Sequence, residues 1–423
     1  MEENTYKNQG YHSKILEKTH QYITKEYVFF SILLLGIILR IRWFHIESIW
    51  NDASVHLWYS IKILNFPSFM FSRTFFLGDY LTIQTLTSLF HLIVNDIFIA
   101  GKIVALLYGI VGITTTFLLG KEIFNRTTGS IAALFFATHH LLIFYGTRPL
   151  ADAPLASLVV LSSYLFIKMQ TTTSYKRRYA IAAGISNLAT VATKMQAIIL
   201  PIAFLVYLLI HHRKELLSKT EYKIFLAIAV IFPFTIAGIS DIFKSTSFLY
   251  SLFIIKLLSL EGMSTGFEAI KLLPWVITWQ IIISFLIGFI LVLGLKKKKS
   301  YLLLYLISIY FFWLEFGNRS NQDRYFLLII PLCAIIAAYG ISESLALFST
   351  LINTPKWSKQ FIIVIISILI SFSMIQTGTA LTERLSYSYL GYQEAGEWIK
   401  QNVAGDDILY AGSPRSIRAF SER

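Results

Sequence analysis

The chain has 423 residues, of which 55% are hydrophobic and only 14% are charged, and its mean hydropathy is +0.62. A water-soluble domain could not cover so many apolar side chains, so this composition excludes a soluble globular protein and indicates one that crosses a membrane several times. The net charge of +13 would suggest nucleic-acid binding in a soluble protein. Here the basic residues follow the membrane topology, and we expect membrane lipids, not nucleic acid, around the chain.

Apolar stretches of the length that a bilayer-spanning helix needs, about 17 to 25 residues, recur along most of the chain. We therefore predict an all-α polytopic membrane protein with about 11 transmembrane helices. The stretches lie roughly at 27–44, 99–119, 128–146, 153–169, 179–193, 195–210, 223–240, 274–294, 301–316, 325–346 and 361–377.

Basic residues gather in alternate loops between these stretches. Examples are YKRR from Tyr175, HHRK from His211 and KKKK from Lys296. Because loops rich in Lys and Arg stay in the cytoplasm, the pattern places the N-terminus inside and the C-terminus outside. We expect a multi-pass protein of the plasma membrane or the endoplasmic reticulum. Its single cysteine, Cys333, excludes a disulfide within the chain.

Three regions follow from this topology. They are a cytoplasmic N-terminal segment at 1–26, a transmembrane module at 27–377 with a long outer loop at 45–98, and a short extracytoplasmic C-terminal segment at 378–423. The last segment reads as an amphipathic helix around Trp398, a Gly-Asp-Asp turn and a short apolar strand, which indicates α/β character. The longer loops lie outside, so we expect the chemistry to face outward.

The outer loop begins with an amphipathic pattern. Apolar residues recur at helical spacing on one side: Leu57, Trp58, Ile61 and Leu64. Polar residues share the other side: Asp52, His56, Tyr59 and Lys62. This pattern predicts a helix lying in the membrane interface. Residues 78–94 are apolar but contain Thr, Gln, Ser and His, which favours an interfacial or re-entrant helix over a full span.

Ionisable side chains at membrane depth are costly, so each one suggests a function. The candidates on the outer side are Asp52, Asp79, Lys102, Arg148, Asp152, Lys194, Asp241 and Arg324. Carboxylates and cations at one leaflet describe a site where Arg and Lys hold a lipid phosphate while an acid removes a proton from a hydroxyl group.

The carboxylates also have simpler interpretations. Asp52 and Asp152 each open a predicted helix and could cap it, and Asp152 could pair with Arg148 four residues before it. His56 could orient Asp52 from one turn away, but we expect it to sit at the interface.

The cations have simpler interpretations too. Lys194 lies between two apolar runs and could extend its ammonium group to the interface. Arg324 could pair with its neighbour Asp323 or with lipid phosphates.

Four segments, taken in order, resemble the GT-C superfamily of membrane glycosyltransferases. They are WNDASVHLWYS from Trp50, the run from Gly101 to Ala156, ATKMQAIILP from Ala192 and RYFLLIIPL from Arg324. Within the superfamily, the nearest likeness is to the protein O-mannosyltransferases and the lipid A aminoarabinose transferase. It covers most of the chain from about 32 to 338.

The resemblance implies a transferase with a polyprenyl-phosphate sugar donor, a hydroxyl acceptor on a protein or a lipid-linked glycan, and an inverting single displacement. No cofactor is required, although a divalent metal ion is compatible with it. The Trp-Trp-Asp motif of the oligosaccharyltransferase branch is absent, so transfer of a whole oligosaccharide to Asn is not implied.

The resemblance also implies roles for individual residues. The family's acidic pair in the first outer loop falls on Asn51-Asp52, which leaves Asp52 as the general base, and the second acid falls on Asp152. The residues implied or expected to bind substrate are Asp79, Lys102, Arg148, Lys194, Arg324 and His56.

Two other classes of protein compete with this interpretation. A transporter or lipid flippase would also have many helices and few charges, but inverted repeats or paired broken helices would be expected, and the sequence shows no such pair. A scaffold protein would have no reason to place acids and bases at one leaflet.

Overall fold

A computed structural model describes residues 27–44, 50–66, 81–231, 267–294, 298–317, 322–352, 355–386 and 390–403. Every regular element within these ranges is helical. Asp79, Asp241 and the predicted C-terminal strand lie outside the described residues. The predicted helix around Trp398 is present.

Seventeen α-helices, counted over the described ranges only, follow one another along the chain. They are α1 Tyr27–Ile41, α2 Asn51–Asn65, α3 Leu81–Val94, α4 Ile97–Ile123, α5 Arg126–Thr138, α6 His140–Gly146, α7 Asp152–Thr171, α8 Lys176–Thr193, α9 Ile199–His211, α10 Arg213–Leu216, α11 Thr220–Leu226, α12 Glu268–Val276, α13 Trp279–Gly294, α14 Lys298–Gly317, α15 Ile330–Leu351, α16 Lys356–Leu385 and α17 Leu390–Asn402. Two 3-10 helices, Met195–Ile198 and Asp323–Leu328, precede α9 and α15.

Five of the described helices are long and apolar enough to cross a membrane: α4, α7, α14, α15 and α16. The number rises to seven if each of two bent helix pairs counts as one span. Three shorter apolar helices also occur, within α1, α3 and the segment 196–211. The prediction of a helical multi-pass membrane protein is therefore confirmed. The 14 residues of α3 extend only about 21 Å, too short for a crossing.

The predicted span 128–146 is broken, because α5 and α6 meet at an angle of 56°. Arg40, at the end of α1, is buried beside this break and donates hydrogen bonds to the carbonyl oxygens of Ala137 and Leu142, both at 3.2 Å. Ala137 belongs to α5 and Leu142 to α6, so the buried guanidinium joins the two helices across the bend. The bend fixes the direction in which α6 runs toward the functional site.

The predicted span 274–294 is also broken. Its first residues belong to α12, which meets α13 at 107°. Thr278 between them has a φ of 68°, a left-handed conformation that turns the chain sharply. The sequence predicted one continuous span over 274–294, but residues 274–276 belong to a separate helix.

The helices pack so that charged residues from distant parts of the chain meet at one end of the bundle. α7 packs between α4 and α8, and α3 packs on both α2 and α4. The 3-10 helix that precedes α15 contacts α7 and α6. These contacts bring the starts of α2 and α7, the end of α8 and the start of the α15 segment together.

α13 and α15 approach each other through two glycines. A Cβ atom built on Gly340 would lie 2.7 Å from the backbone nitrogen of Gly288, and it would also contact the carbonyl oxygen of Ser284. Small residues permit such close backbone contact between membrane helices. This contact holds α15, whose preceding 3-10 helix carries Arg324.

Gly340→Ala should destabilise the protein by about 1 to 3 kcal/mol, because the added methyl group has no space between α13 and α15. Gly294→Ala is the matched control, since a Cβ at Gly294 meets nothing within 4 Å. Thermal unfolding in detergent measures both. Equal melting temperatures for the two variants would contradict the close contact.

Candidate active site

Two ion pairs lie side by side at this end of the bundle. A guanidinium nitrogen of Arg324 donates to the carboxylate of Asp52, and the ammonium group of Lys194 donates to that of Asp152. The ring of Tyr325 lies near both cations, 4.9 Å from Lys194 Nζ and 5.5 Å from the guanidinium carbon of Arg324. The two pairs therefore form one cluster, and the structure brings together four of the residues that the sequence predicts.

Lys194 reaches the cluster because the helix ends just before it. α8 stops at Thr193, and Lys194 has an extended backbone with φ −162° and ψ 135° before the 3-10 helix begins. Its side chain is enclosed and contacts Asp152, 42 residues away in sequence. The interpretation that Lys194 extends to the membrane interface is therefore wrong.

Neither carboxylate occupies a helix-capping position. The N-cap of α2 is Trp50 and that of α7 is Ala151, so Asp52 and Asp152 lie within the first turns. The partial positive charge of a helix N-terminus favours an acid there. Both acids nevertheless direct their side chains to cations from other elements, which replaces the capping interpretation.

The two pairs differ in accessibility. The side chain of Asp52 is 51% exposed, whereas that of Asp152 is only 5% exposed. An incoming molecule can therefore reach Asp52 directly, while Asp152 is enclosed with Lys194. This difference separates the chemistry that each acid can perform.

Arg324 remains charged within the cluster. Desolvation by itself lowers the pKa of Arg324, but the carboxylates of Asp152 and Asp52 raise it more, so the net pKa lies above its usual value. Its Nε also donates to the side chain of Gln322 at 2.7 Å. A permanently charged, forked donor is well suited to hold a phosphate.

His56 is buried, which contradicts its predicted place at the interface. Its Nδ1 lies 3.1 Å from Nε2 of Gln84 on α3, because α2 packs its His56 side against that helix. Burial lowers the pKa of His56 to about 4, although the Asp152 and Asp52 carboxylates oppose that shift. The imidazole is therefore neutral near pH 7.

Arg148 and Lys102 are held by contacts with aromatic rings and backbone carbonyl oxygens. The guanidinium of Arg148 stacks on the ring of Phe144 at 3.6 Å and on that of Trp50 at 4.9 Å, and it donates to the Phe144 carbonyl oxygen. Lys102 is buried on α4 and donates to the carbonyl oxygen of Phe44 at 2.5 Å. The predicted pairing of Arg148 with Asp152 is replaced by the pair that Asp152 makes with Lys194.

The structure adds residues that sequence reasoning missed. Tyr325 follows Arg324 directly and could have been included by proximity, whereas Tyr145 lies inside an apolar run and gives no signal. Tyr145 donates to the Asp323 carboxylate at 2.7 Å. Gln84, the partner of His56, is one polar residue among several on α3.

Within the described part of the chain, no three His, Cys, Asp or Glu side chains come together as a metal ion would require. Asp79 is not among the described residues, so its predicted role in substrate binding stays a prediction.

Residues 81–237 match the sequence model of a family described as dolichyl-phosphate-mannose-protein mannosyltransferase. No curated protein sequence matches the chain. Solved structures extend the likeness: ArnT of Cupriavidus metallidurans in its apo state superimposes with a TM-score of 0.67 at 13% identity, over 96% of this chain and 85% of ArnT. The chain has the GT-C fold.

A second relative with the GT-C fold is the oligosaccharyltransferase of Archaeoglobus fulgidus. Its apo form superimposes with a TM-score of 0.67 at 14% identity, over 94% of this chain and 64% of the relative. The chain thus spans less than two thirds of that enzyme's length. The resemblance to the GT-C superfamily, with its protein O-mannosyltransferases and aminoarabinose transferase, is confirmed, and the matched family and these relatives are glycosyltransferases.

Related structures contain lipid phosphates. ArnT has been solved with undecaprenyl phosphate, and the archaeal oligosaccharyltransferase AglB with an inhibitory peptide and a dolichol-phosphate. These ligands belong to those proteins, and at 13% and 14% identity the likeness shows the fold of this chain.

Asp152→Asn should destabilise the protein by about 3 to 5 kcal/mol, because the enclosed Lys194 ammonium group loses its carboxylate. Adding Lys194→Met should recover most of the loss. Glu268→Gln, which breaks an exposed pair with Lys271, should cost at most about 1 kcal/mol. Thermal unfolding in detergent measures all three, and an Asp152→Asn variant as stable as Glu268→Gln would contradict the enclosed pair.

Proposed function

We propose that the chain is a membrane glycosyltransferase that moves a sugar from a polyprenyl-phosphate donor to a hydroxyl acceptor on the extracytoplasmic side. The observation that carries this proposal is the pair of cations, Arg324 and Lys194, held by two acids in one cluster. The family match over 81–237, the GT-C fold and the basic loops at the other end of the helices support it.

The donor phosphate takes the place of the Asp52 carboxylate at Arg324 and adds a contact with Lys194, which stays paired with Asp152. Before the donor binds, Asp52 and Asp152 balance the charges of Arg324 and Lys194. A phosphate that enters the cluster offers the same cations further oxygen acceptors. As Arg324 turns to the phosphate, Asp52 loses its counter-ion and becomes available as a base. Donor binding thus prepares the site for the acceptor.

The reaction is a single displacement at the anomeric carbon. Asp52 takes the proton of the acceptor hydroxyl, whose oxygen forms a bond to that carbon with inversion. The bond from the anomeric carbon to the phosphate oxygen breaks, and the electron pair leaves with polyprenyl phosphate. The charge of the phosphate group grows from about −1 to −2 as this bond breaks. Arg324 and Lys194 therefore stabilise the transition state more than the ground state.

The remaining residues support this step. Asp152 is enclosed and holds Lys194 in place, so Asp52 alone serves as the base. Arg148 adds a positive charge beside Trp50, which directly precedes α2, while Lys102, His56 and Asp79 keep their predicted roles in substrate binding. Neutral His56 adds no competing positive charge.

The acceptor is a hydroxyl group on a protein or on a lipid-linked glycan. Because Asp52 is half exposed, a large acceptor can present its hydroxyl from outside the bundle. No metal ion is required by the proposed step, since Arg324 and Lys194 supply the positive charge that the leaving phosphate needs.

Asp52→Asn should lower sugar transfer from a polyprenyl-phosphate donor by about 100- to 10,000-fold, because the variant lacks the general base. Donor binding should persist. The assay follows radiolabelled sugar from a panel of such donors into extracted membrane proteins and glycolipids, with and without chelator. Glu383→Gln is the matched control, because it removes an exposed acid that pairs with Arg42, and it should transfer at the wild-type rate.

Three outcomes would count against the proposal. An Asp52→Asn variant that transfers as fast as Glu383→Gln would exclude Asp52 as the base. Loss of sugar transfer by the wild type when a chelator is added would contradict a step that needs no metal ion. Absence of product from every donor would remove the transferase assignment.

A further inference from the structure

Asp323 is an acid that the proposed step does not use. Its Oδ1 accepts hydrogen bonds from the Tyr145 hydroxyl at 2.7 Å and from the backbone N–H of Arg324 at 2.8 Å. Its Oδ2 accepts from the indole Nε1 of Trp275 at 3.4 Å. One carboxylate thus joins the end of α6, the end of α12 and the 3-10 helix that carries Arg324.

We propose that Asp323 is a positioning residue that fixes the backbone of Arg324 and so directs its guanidinium between Asp52 and the donor phosphate. This inference rests on the proposed function, because it assigns Arg324 to that phosphate. Asp323 itself does not touch the substrate; it acts through Arg324.

The backbone of Arg324 needs to be fixed by Asp323 because Arg324 lies on a 3-10 helix. The 3-10 helix Asp323–Leu328 is a short helix with poorer hydrogen-bond geometry than an α-helix. A long side chain that must exchange one anion for another needs a fixed Cα atom, since a small displacement of the backbone misplaces the guanidinium. The bonds from Tyr145 and to the Arg324 N–H supply that fixed point.

Tyr145, which donates to Asp323, is itself held in a fixed position. The residue lies on α6 after the bend at which Arg40 binds backbone carbonyl oxygens, and its ring packs against Phe144 and Trp50. Trp50 directly precedes α2, which carries Asp52. The same aromatic contacts therefore locate both members of the Asp52 and Arg324 pair.

The first experiment is a double-mutant cycle on binding of undecaprenyl phosphate to the purified full chain. Asp323→Ala should weaken this binding about tenfold, because it removes the acceptor of the Arg324 backbone bond. In an Arg324→Met background, Asp323→Ala should have no further effect, since the residue acts only through Arg324. Losses that add in the double variant, or an Asp323→Ala variant that binds as well as wild type, would overturn the proposal.

Glu315→Gln is the matched control. Glu315 is a second buried acid that accepts from a backbone N–H of α12, at Ile270, and within the described residues it makes no hydrogen bond or ion pair with the Arg324 segment. It should bind undecaprenyl phosphate with wild-type affinity. An equal loss in Glu315→Gln would show that disturbing α12 is sufficient, and the assignment of Asp323 would fall.

Milder variants keep the test decisive if Asp323→Ala does not fold. Asp323→Asn can still accept from Tyr145 through its amide oxygen, but its amide nitrogen cannot accept from Trp275. It should therefore bind more tightly than Asp323→Ala, and adding Trp275→Phe should recover affinity. Tyr145→Phe removes one bond and should weaken binding. Wild-type affinity in both Asp323→Asn and Tyr145→Phe would contradict the inference.

The outcomes separate this inference from the proposed function. A wild type that binds undecaprenyl phosphate but transfers sugar from no donor would contradict the function, and the cycle would still decide the role of Asp323. Normal transfer and normal phosphate binding in Asp323→Ala would contradict the positioning role alone. A wild type that binds no undecaprenyl phosphate would overturn both.

Discussion

Charge neutralisation at the edge of an apolar helix bundle is the constraint on which the site depends. An unpaired ammonium or carboxylate group enclosed there would cost several kcal/mol, so Lys194 and Asp152 must meet although they are 42 residues apart. The same requirement pairs Arg324 with Asp52, in a more exposed position. In the proposed function, a phosphate takes the place of Asp52 at Arg324 and adds a contact with Lys194.

Interrupted helices make this arrangement possible. Lys194 enters the cluster because α8 ends before it, and Arg324 enters because a 3-10 helix precedes α15. A continuous helix would carry its side chains along its own surface and would hide its backbone from neighbours. The bend between α5 and α6, which buries Arg40, similarly turns α6 toward Asp323. The residues of the candidate site therefore lie at helix ends, while the uninterrupted helices form the apolar bundle.

Much of the fold could be read from the sequence, because apolar length is a strong signal, and so could the cluster, because charges are rare in such a chain. The pairing of Lys194 with Asp152 could not be predicted, since periodicity within one segment carries no information about a partner 42 residues away. His56 was assigned to the wrong face of α2 because the pattern does not show that α3 offers Gln84 to a buried imidazole. Tyr145 and Trp275 gave no signal within apolar runs, since their roles exist only once Asp323 lies beside them.

The central claim is that the donor phosphate competes with the Asp52 carboxylate for Arg324. The most direct test is the affinity of the purified protein for undecaprenyl phosphate in wild type, Asp52→Asn and Arg324→Met. Because Asp52→Asn removes a competitor for Arg324, the account predicts about two- to fivefold tighter binding in that variant and weaker binding in Arg324→Met. Binding in Asp52→Asn that is unchanged or weaker, or binding in Arg324→Met at wild-type affinity, would contradict the claim.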